Sequence, residues 1–125
     1  MVQLTSAAPM LGAKDVFETA EYYRDVLGFT FDRIDGKPPS FVILDRGGAR
    51  LMFAQRRDAA LPAPDNAIPN VFLYADDVEA LAEEFRARGA DIVIEPTYRP
   101  IWNGKEMTVR DPNGWLLLFG QMMGD

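Results

Sequence analysis

The 125-residue chain carries the same sequence pattern twice, and this internal repeat restricts its fold more than any other feature. The pair Asp15-Val16 returns 62 residues later as Asp77-Val78, and each pair opens a segment that ends on a glycine. A second set of residues returns in the same order 66 residues later: Asp45, Gly48, Leu51, Phe53 and Gln55 become Asp111, Gly114, Leu117, Phe119 and Gln121. Two matching sets in one order predict a single structural unit built twice in tandem.

Each copy is predicted to contain one amphipathic helix. Residues 15–27 begin with Asp15, a good N-cap, and Glu18 follows three residues on as in a capping box. The apolar residues of this segment share one helical face: Val16, Ala20, Tyr23 and Leu27. Residues 77–88 repeat the plan, so two helices of similar length are expected.

Apolar and β-branched runs bounded by turn residues predict the strands around these helices. The predicted strands are residues 6–13, 29–31, 40–44 and 50–54 in the first copy and 69–75, 92–94, 105–110 and 115–119 in the second. Gly47-Gly48 and Asp111–Gly114 are turn signals before the last strand of each copy. The chain is therefore predicted to be a single α+β domain of two βαβββ modules: module 1 over residues 1–57, a proline-bearing linker over 58–68, and module 2 over 69–125.

The two copies differ by an insertion. The repeat offset rises from 62 to 66, so module 2 carries four extra residues between its matching segments. We place them within residues 98–103, which contain Tyr98 and Trp102. This asymmetry makes the insertion the first place to look for a ligand specific to this protein.

Composition excludes several classes of function. The chain has no cysteine and no histidine, so thiol nucleophiles, histidine bases and imidazole metal ligands are impossible. Its net charge of −6 argues against nucleic acid and favours a neutral or cationic partner. No apolar run reaches membrane-spanning length and no signal sequence is recognisable, so the expected location is the cytoplasm, with no membrane partner.

Three motifs occur in a fixed order along the chain: the run Tyr22–Phe29, then Asp76-Asp77-Val78, then Arg110–Gly114. Together they resemble the vicinal oxygen chelate superfamily, which includes glyoxalases, bleomycin-resistance proteins and extradiol dioxygenases. The resemblance implies that each module curls its sheet into an open half-barrel, called the cup from here on, with helices outside and a ligand inside. It also implies a homodimer with its sites near the subunit interface.

Metal-dependent members of that superfamily hold their ion with residues on the first and last strands of each module. Counting from the aspartate motifs, and checking the count with the repeat, places these four positions at Ala8, Met52, Asn70 and Leu118. A methyl, a thioether, an isobutyl group and one amide cannot hold a hard divalent cation. Neither a metal nor a cofactor is therefore expected.

Strand alternation predicts what the cup contains instead, because residues two apart share a face of a sheet. If Asn70 faces the cup, Phe72 and Tyr74 do too, and Glu106 and Arg110 share the cup face of their strand. The stretch Ile101–Pro112 resembles the metal-free bleomycin-resistance branch of the superfamily. The predicted ligand-binding residues are Trp102, Glu106, Phe72, Tyr74, Asn70, Met52, Arg110 and Tyr98. An apolar floor with a few polar groups suits a small organic molecule, cationic or aromatic.

Several of these residues also have a purely structural interpretation. Trp102 could pack on its own strand or form a dimer contact, and Phe72 and Tyr74 could belong to the core. Glu106 could form an ion pair with Arg110.

Three functions compete at this point. The leading one is a metal-independent small-molecule binding protein, such as one that sequesters an antibiotic. The alternative is a metal-independent isomerase or lyase, with Glu106 as general base and Arg110 or Tyr74 steadying an oxyanion. A metal-dependent glyoxalase or dioxygenase is the least favoured, since the four ligand positions carry no suitable side chains.

Overall fold

The computed structural model of the chain describes residues 1–56 and 68–124. Module 1 contains β1 (Met10–Ala13), α1 (Val16–Asp25), β2 (Thr30–Asp35), β3 (Phe41–Arg46) and β4 (Ala49–Gln55). Module 2 contains β5 (Val71–Tyr74), α2 (Val78–Ala87), β6 (Asp91–Arg99), β7 (Gly104–Arg110) and β8 (Leu116–Met122). The predicted α+β class and the βαβββ order of both modules are confirmed. The predicted linker lies outside the described residues except for Ile68.

Each module forms its own four-stranded mixed sheet, and neither sheet closes into a barrel. The strand orders are β1-β4-β3-β2 and β5-β8-β7-β6. In both sheets the first strand runs parallel to the last, while the remaining pairs are antiparallel. β1 and β5 are therefore edge strands, each with one side free of its own sheet.

The start of each helix is fixed by the same two side chains in both modules. Asp15 accepts a hydrogen bond from the Glu18 N–H, and Asp77 accepts one from the Ala80 N–H, both at 3.0 Å. The repeated glutamines add a second cap, because Gln55 accepts from the Val16 N–H at 2.9 Å and Gln121 from the Val78 N–H at 2.8 Å. No helix in the described ranges is long and apolar enough to cross a membrane.

Three strand predictions need correction. β1 begins at Met10 rather than at residue 6, and β2 and β6 are longer than residues 29–31 and 92–94. Register shifts between Phe31 and Arg33 in β2 and between Ile92 and Thr97 in β6 interrupt the alternation of apolar residues. Such bulges hide the continuation of a strand from a pattern with a period of two. The insertion in module 2 lengthens the β6–β7 hairpin.

The two modules join through the turns that precede β4 and β8. At the β8 end, the Tyr23 hydroxyl donates to Asp111 at 2.8 Å and the Trp115 indole N–H donates to the Gly12 carbonyl at 2.8 Å. At the β4 end, Arg46 forms an ion pair with Glu84 at 2.6 Å. Tyr23 and the apolar residues of both modules are buried in one continuous core.

The junction leaves little room beside Gly28, which has a positive φ of 74°. A Cβ there would lie 2.6 Å from an Arg46 nitrogen, which is itself held by Glu84 and the Leu27 carbonyl. Gly89 has a similar φ of 81° but no atom within 4 Å of the corresponding Cβ. Gly28→Ala is therefore expected to lower the free energy of unfolding by clearly more than the about 1–2 kcal/mol that a left-handed alanine costs at Gly89. Urea denaturation of both variants measures the difference, and equal losses would contradict the role of the Arg46–Glu84 pair.

The buried hydroxyl of Tyr23 makes the junction sensitive to alkaline pH. Burial raises the pKa of Tyr23 well above its usual value, and the nearby Asp111 carboxylate raises it further. Below about pH 10 the folded and unfolded chains both keep this proton, so its contribution to stability is complete there. Above that pH only the folded chain keeps it, and the free energy of unfolding should fall by about 1.4 kcal/mol per pH unit from this group. Tyr23→Phe should flatten the decline in urea denaturation between pH 9 and 11; an unchanged slope would contradict it.

Candidate functional site

Three aromatic rings meet on one face of the module 2 sheet and form what we call the aromatic cluster: Phe72, Tyr74 and Trp102. The ring centroids of Phe72 and Tyr74 lie 4.8 Å apart, and those of Phe72 and Trp102 lie 5.8 Å apart in an edge-to-face arrangement. Phe72 and Tyr74 lie two residues apart on β5 and share one face of the strand, as predicted. Trp102 comes from the β6–β7 turn. The insertion therefore brings its indole onto the strand face that carries the other two rings.

Two glycines make the space for the Trp102 ring. A Cβ on Gly104 would collide with the indole, and a Cβ on Gly120 would lie 2.5 Å from the Phe72 ring and 3.2 Å from Trp102. The indole thus lies flat over bare main chain between β7 and β8. Gly120 was not predicted to have a role, although a glycine inside a strand is a known signal for close approach of another group.

Glu106 holds the indole in this position. Its two carboxylate oxygens accept hydrogen bonds from Arg99 Nε at 2.9 Å and from Trp102 Nε1 at 3.1 Å. The side chain of Glu106 is only 16% exposed, and the register of β6 and β7 brings Arg99 beside it. The ion pair therefore forms with Arg99 and not with Arg110, whose guanidinium lies 3.8 Å from Asp91.

The turn that carries Trp102 is tied to the end of β8. The Tyr98 hydroxyl donates to the Asn103 side chain at 2.8 Å, and Asn103 adopts a positive φ of 51°. Asn103 also exchanges hydrogen bonds with Met123, donating from its amide group and accepting at its carbonyl. Tyr98 thus fixes the turn through Asn103, which is a supporting contact that the sequence prediction did not foresee.

The remaining predicted ligand contacts lie outside the aromatic cluster. Asn70 closes the start of β5, because its side chain accepts from the Leu116 N–H at 2.9 Å and its own N–H donates to the Leu116 carbonyl at 2.8 Å. Met52 lies on the other sheet, between Met10 and Ile43 in register. The structure therefore brings together Phe72, Tyr74, Trp102 and Glu106 of the eight predicted residues, with Tyr98 supporting them.

The four positions that would hold a metal in this superfamily do not fit one here. Ala8, Met52 and Leu118 offer no hard donor, and the amide oxygen of Asn70 is already bonded to the Leu116 N–H. Within residues 1–56 and 68–124, no three acidic side chains gather closely enough to hold an ion. These four residues therefore do not form a site for a catalytic metal ion.

The sequence and fold are matched by known proteins. Residues 5–119 match the model of the Glyoxalase/Bleomycin resistance protein/Dioxygenase superfamily, so the chain belongs to this superfamily and the resemblance of its motifs is confirmed. No match was found among curated proteins.

Several solved structures share the fold. The bleomycin-binding protein of bleomycin-producing Streptomyces verticillus, complexed with copper(II)-bleomycin, is 26% identical with a TM-score of 0.73 over 100% of each chain. A bleomycin resistance determinant encoded on transposon Tn5 is 25% identical with a TM-score of 0.78, covering 94% of this chain and 98% of that one. TioX from Micromonospora sp. ML1 is 21% identical with a TM-score of 0.78, covering 95% and 99%.

Proposed function

We propose that this chain is a small-molecule binding protein that sequesters a bleomycin-type antibiotic, with the aromatic cluster as its central contact. The observation that carries the proposal is that two rings of the cluster stay open to solvent on a sheet face. Tyr74 is 76% exposed and Phe72 is 44% exposed. Open, fixed rings bind aromatic groups by stacking and by burial of apolar area. The similarity to a bleomycin-binding protein and to a bleomycin resistance determinant supports this choice of guest.

Binding without a protein-bound metal is part of the proposal. Ala8, Met52, Asn70 and Leu118 cannot supply a coordination shell, so the guest would be held by the rings and by hydrogen bonds. Glu106 neutralises the positive charge of Arg99, so this arginine does not require an anionic guest. The net charge of −6 would favour a cationic guest through the long-range field of the protein.

We also propose that a second copy of the chain closes the open side of the cup, giving a homodimer in the cytoplasm. Apolar side chains near the cluster are unusually exposed, with Ile101 at 94% and Met122 at 69%. Apolar groups exposed to this extent favour a contact surface. The absence of cysteine suits a reducing compartment. Light scattering should give twice the 14.0 kDa chain mass, and a monomer at all concentrations would contradict the dimer.

A thermal-denaturation titration tests the proposed guest. Bleomycin at a hundred times its dissociation constant should raise the free energy of unfolding by about 2.7 kcal/mol, because it binds only the folded chain. The shift should saturate as the bleomycin concentration rises. A melting temperature that bleomycin leaves unchanged would contradict sequestration.

The competing enzymatic role of Glu106 is less well supported. A general base needs a carboxylate free to take a proton from a substrate. Both oxygens of Glu106 instead accept hydrogen bonds from Arg99 and Trp102. We therefore assign Glu106 the role of a positioning residue for the indole.

Glu106→Gln tests the positioning role. Glutamine keeps an acceptor for the indole N–H but loses the charge-assisted bond to Arg99, so bleomycin binding should weaken about fivefold. Glu95→Gln is the control, because it breaks the exposed ion pair of Glu95 with Arg86, neither of which contacts a ring of the cluster, and it should leave binding unchanged. Calorimetric titration measures both. A Glu106→Gln variant with wild-type affinity would contradict the positioning role.

A further inference from the structure

A cavity of about 760 Å³ lies between the modules at the free edge of β5. Its apolar wall includes Leu51, Phe85 and Phe119, which are buried core residues. Trp102 and the cup residues Met52 and Leu118 do not line it. Phe72 and Tyr74 of the aromatic cluster border the cavity from β5, so the cavity extends from the cluster to the junction of the two modules.

The internal repeat explains why this cavity exists. At the other junction of the two modules, Trp115 lies just before β8 and its indole N–H donates to the Gly12 carbonyl on the free edge of β1. By the repeat offset of 66, Ala49 of module 1 corresponds to Trp115 of module 2. By the offset of 62, Tyr74 of module 2 corresponds to Gly12 of module 1. Ala49 and Tyr74 both line the cavity. The cavity thus includes the position where the other junction holds an indole ring and this junction lacks one.

The surroundings of the missing ring are repeated as well. Ala75 donates its N–H to Gly120, so the main-chain groups of Tyr74 point away from β8 and toward the cavity edge. Where α1 presents Tyr23 and Thr19, α2 presents Phe85 and Leu81, which makes this wall more apolar than its counterpart. A ring in the cavity would therefore meet apolar side chains on one side and a main-chain acceptor at the strand edge.

Charge around the cavity favours neutral or cationic guests. Asp76 and Asp77 lie at its rim, at the start of α2. Both arginines that line the cavity already form ion pairs. Arg46 pairs with Glu84, and Arg50 pairs with Asp45 and Asp32. An anionic guest would meet aspartates without gaining a new cationic partner.

We propose that this cavity is a second ligand site, for a neutral or cationic fused-ring aromatic compound that carries an N–H donor. Trp115 at the other junction is the template for its binding, with the ring against the helix and the N–H on the strand-edge carbonyl. The room beyond a single indole allows a substituent at the rim, where an amine would lie near Asp76. Tryptamine is therefore a suitable probe.

Amide NMR of the full chain titrated with tryptamine tests this site. Saturable shifts are expected at the amides of Ala49, Ala75 and Leu81. 1-Methyltryptamine, which lacks the ring N–H, should bind about fivefold more weakly, and indole-3-acetate should bind more weakly than tryptamine. Absence of saturable shifts at these amides, or equal affinity for all three probes, would overturn the proposal.

Three variants locate the binding. Ala49→Trp should fill the cavity with the residue of the other module, and Ala80→Tyr should block its rim from an exposed position on α2. Each should abolish the shifts, and Ala80→Tyr keeps the test valid if the first variant fails to fold. Trp102→Ala removes the one ring of the aromatic cluster that does not line the cavity, and it should leave the shifts intact. Shifts that survive both blocking variants, or that vanish in Trp102→Ala, would overturn the site without bearing on bleomycin binding.

Discussion

Replacing Trp102 with alanine is expected to weaken bleomycin binding about a hundredfold, which is the usual effect of truncating a central aromatic contact. The variant removes one of three rings and leaves Phe72 without its edge-to-face partner at 5.8 Å. It also removes the group that the Arg99–Glu106 pair holds in place, so the β6–β7 turn keeps its bonds to Tyr98 and Met123 but loses its contact with Glu106. The dissociation constant from calorimetric titration measures this effect.

The second tryptophan provides the control for this experiment. Trp115→Phe loses the hydrogen bond to the Gly12 carbonyl and should lower the melting temperature, but it lies at the module junction and not in the cluster. Its affinity for bleomycin should equal that of the wild type. If the two variants lose affinity equally, the loss reflects damage to the fold and the aromatic cluster is not the binding surface.

Replacing Asp111 with alanine is expected to cost about 3 kcal/mol of unfolding free energy. The carboxylate accepts hydrogen bonds from the Tyr23 hydroxyl and from the N–H groups of Asn113 and Trp115, at 2.8 to 2.9 Å. Asp111 is buried, so the variant leaves two buried donors and one partly buried donor without this acceptor, each of which costs free energy. Urea denaturation at neutral pH measures the loss.

The repeat again supplies the control. Asp45 occupies the same repeat position in module 1 but lies at the surface, where it pairs with Arg50. Asp45→Ala should change stability little, because exposed ion pairs contribute weakly. Similar losses in both variants would show that the junction does not depend on the buried carboxylate.

Burial also raises the pKa of Asp111, against the hydrogen bonds donated by Tyr23, Trp115 and Asn113 that lower it. A raised folded pKa means that the folded chain holds this proton more tightly than the unfolded chain. The contribution of Asp111 to stability is then greatest below the unfolded pKa near 3.9 and decreases as the pH rises through the folded pKa. Protonation of this carboxyl at low pH therefore stabilises the folded chain, whereas protonation of ion-paired surface carboxylates destabilises it.

The repeat and the helix caps could be predicted from sequence because they depend on neighbours along the chain. Asp15 and Asp77 start their helices, and Met107 and Val109 face the core as alternation required. The repeated glutamines were visible as a match, but their capping role spans 39 and 43 residues and needed the fold.

The details of the candidate site depend on register and so could not be predicted. Bulges in β6 place Thr97 opposite Glu106, and only the structure shows that Arg99, two residues further along β6, reaches the Glu106 carboxylate. Gly120 leaves room for the rings of Phe72 and Trp102, and Trp102 comes from the β6–β7 turn, so the sequence around Gly120 does not reveal its role. Asp45 and Asp111 match in the repeat, yet Asp111 is buried beside Tyr23 whereas Asp45 forms an exposed ion pair with Arg50.

Calorimetric titration of the EDTA-treated chain with copper(II)-bleomycin tests the central claim most directly. The guest carries its own metal, so any requirement for a protein-bound metal would appear as a difference between treated and untreated protein. We predict saturable binding with the same affinity before and after EDTA treatment, and its loss in Trp102→Ala. Binding that disappears on EDTA treatment, or no binding by either preparation, would contradict a metal-independent binding site at the aromatic cluster.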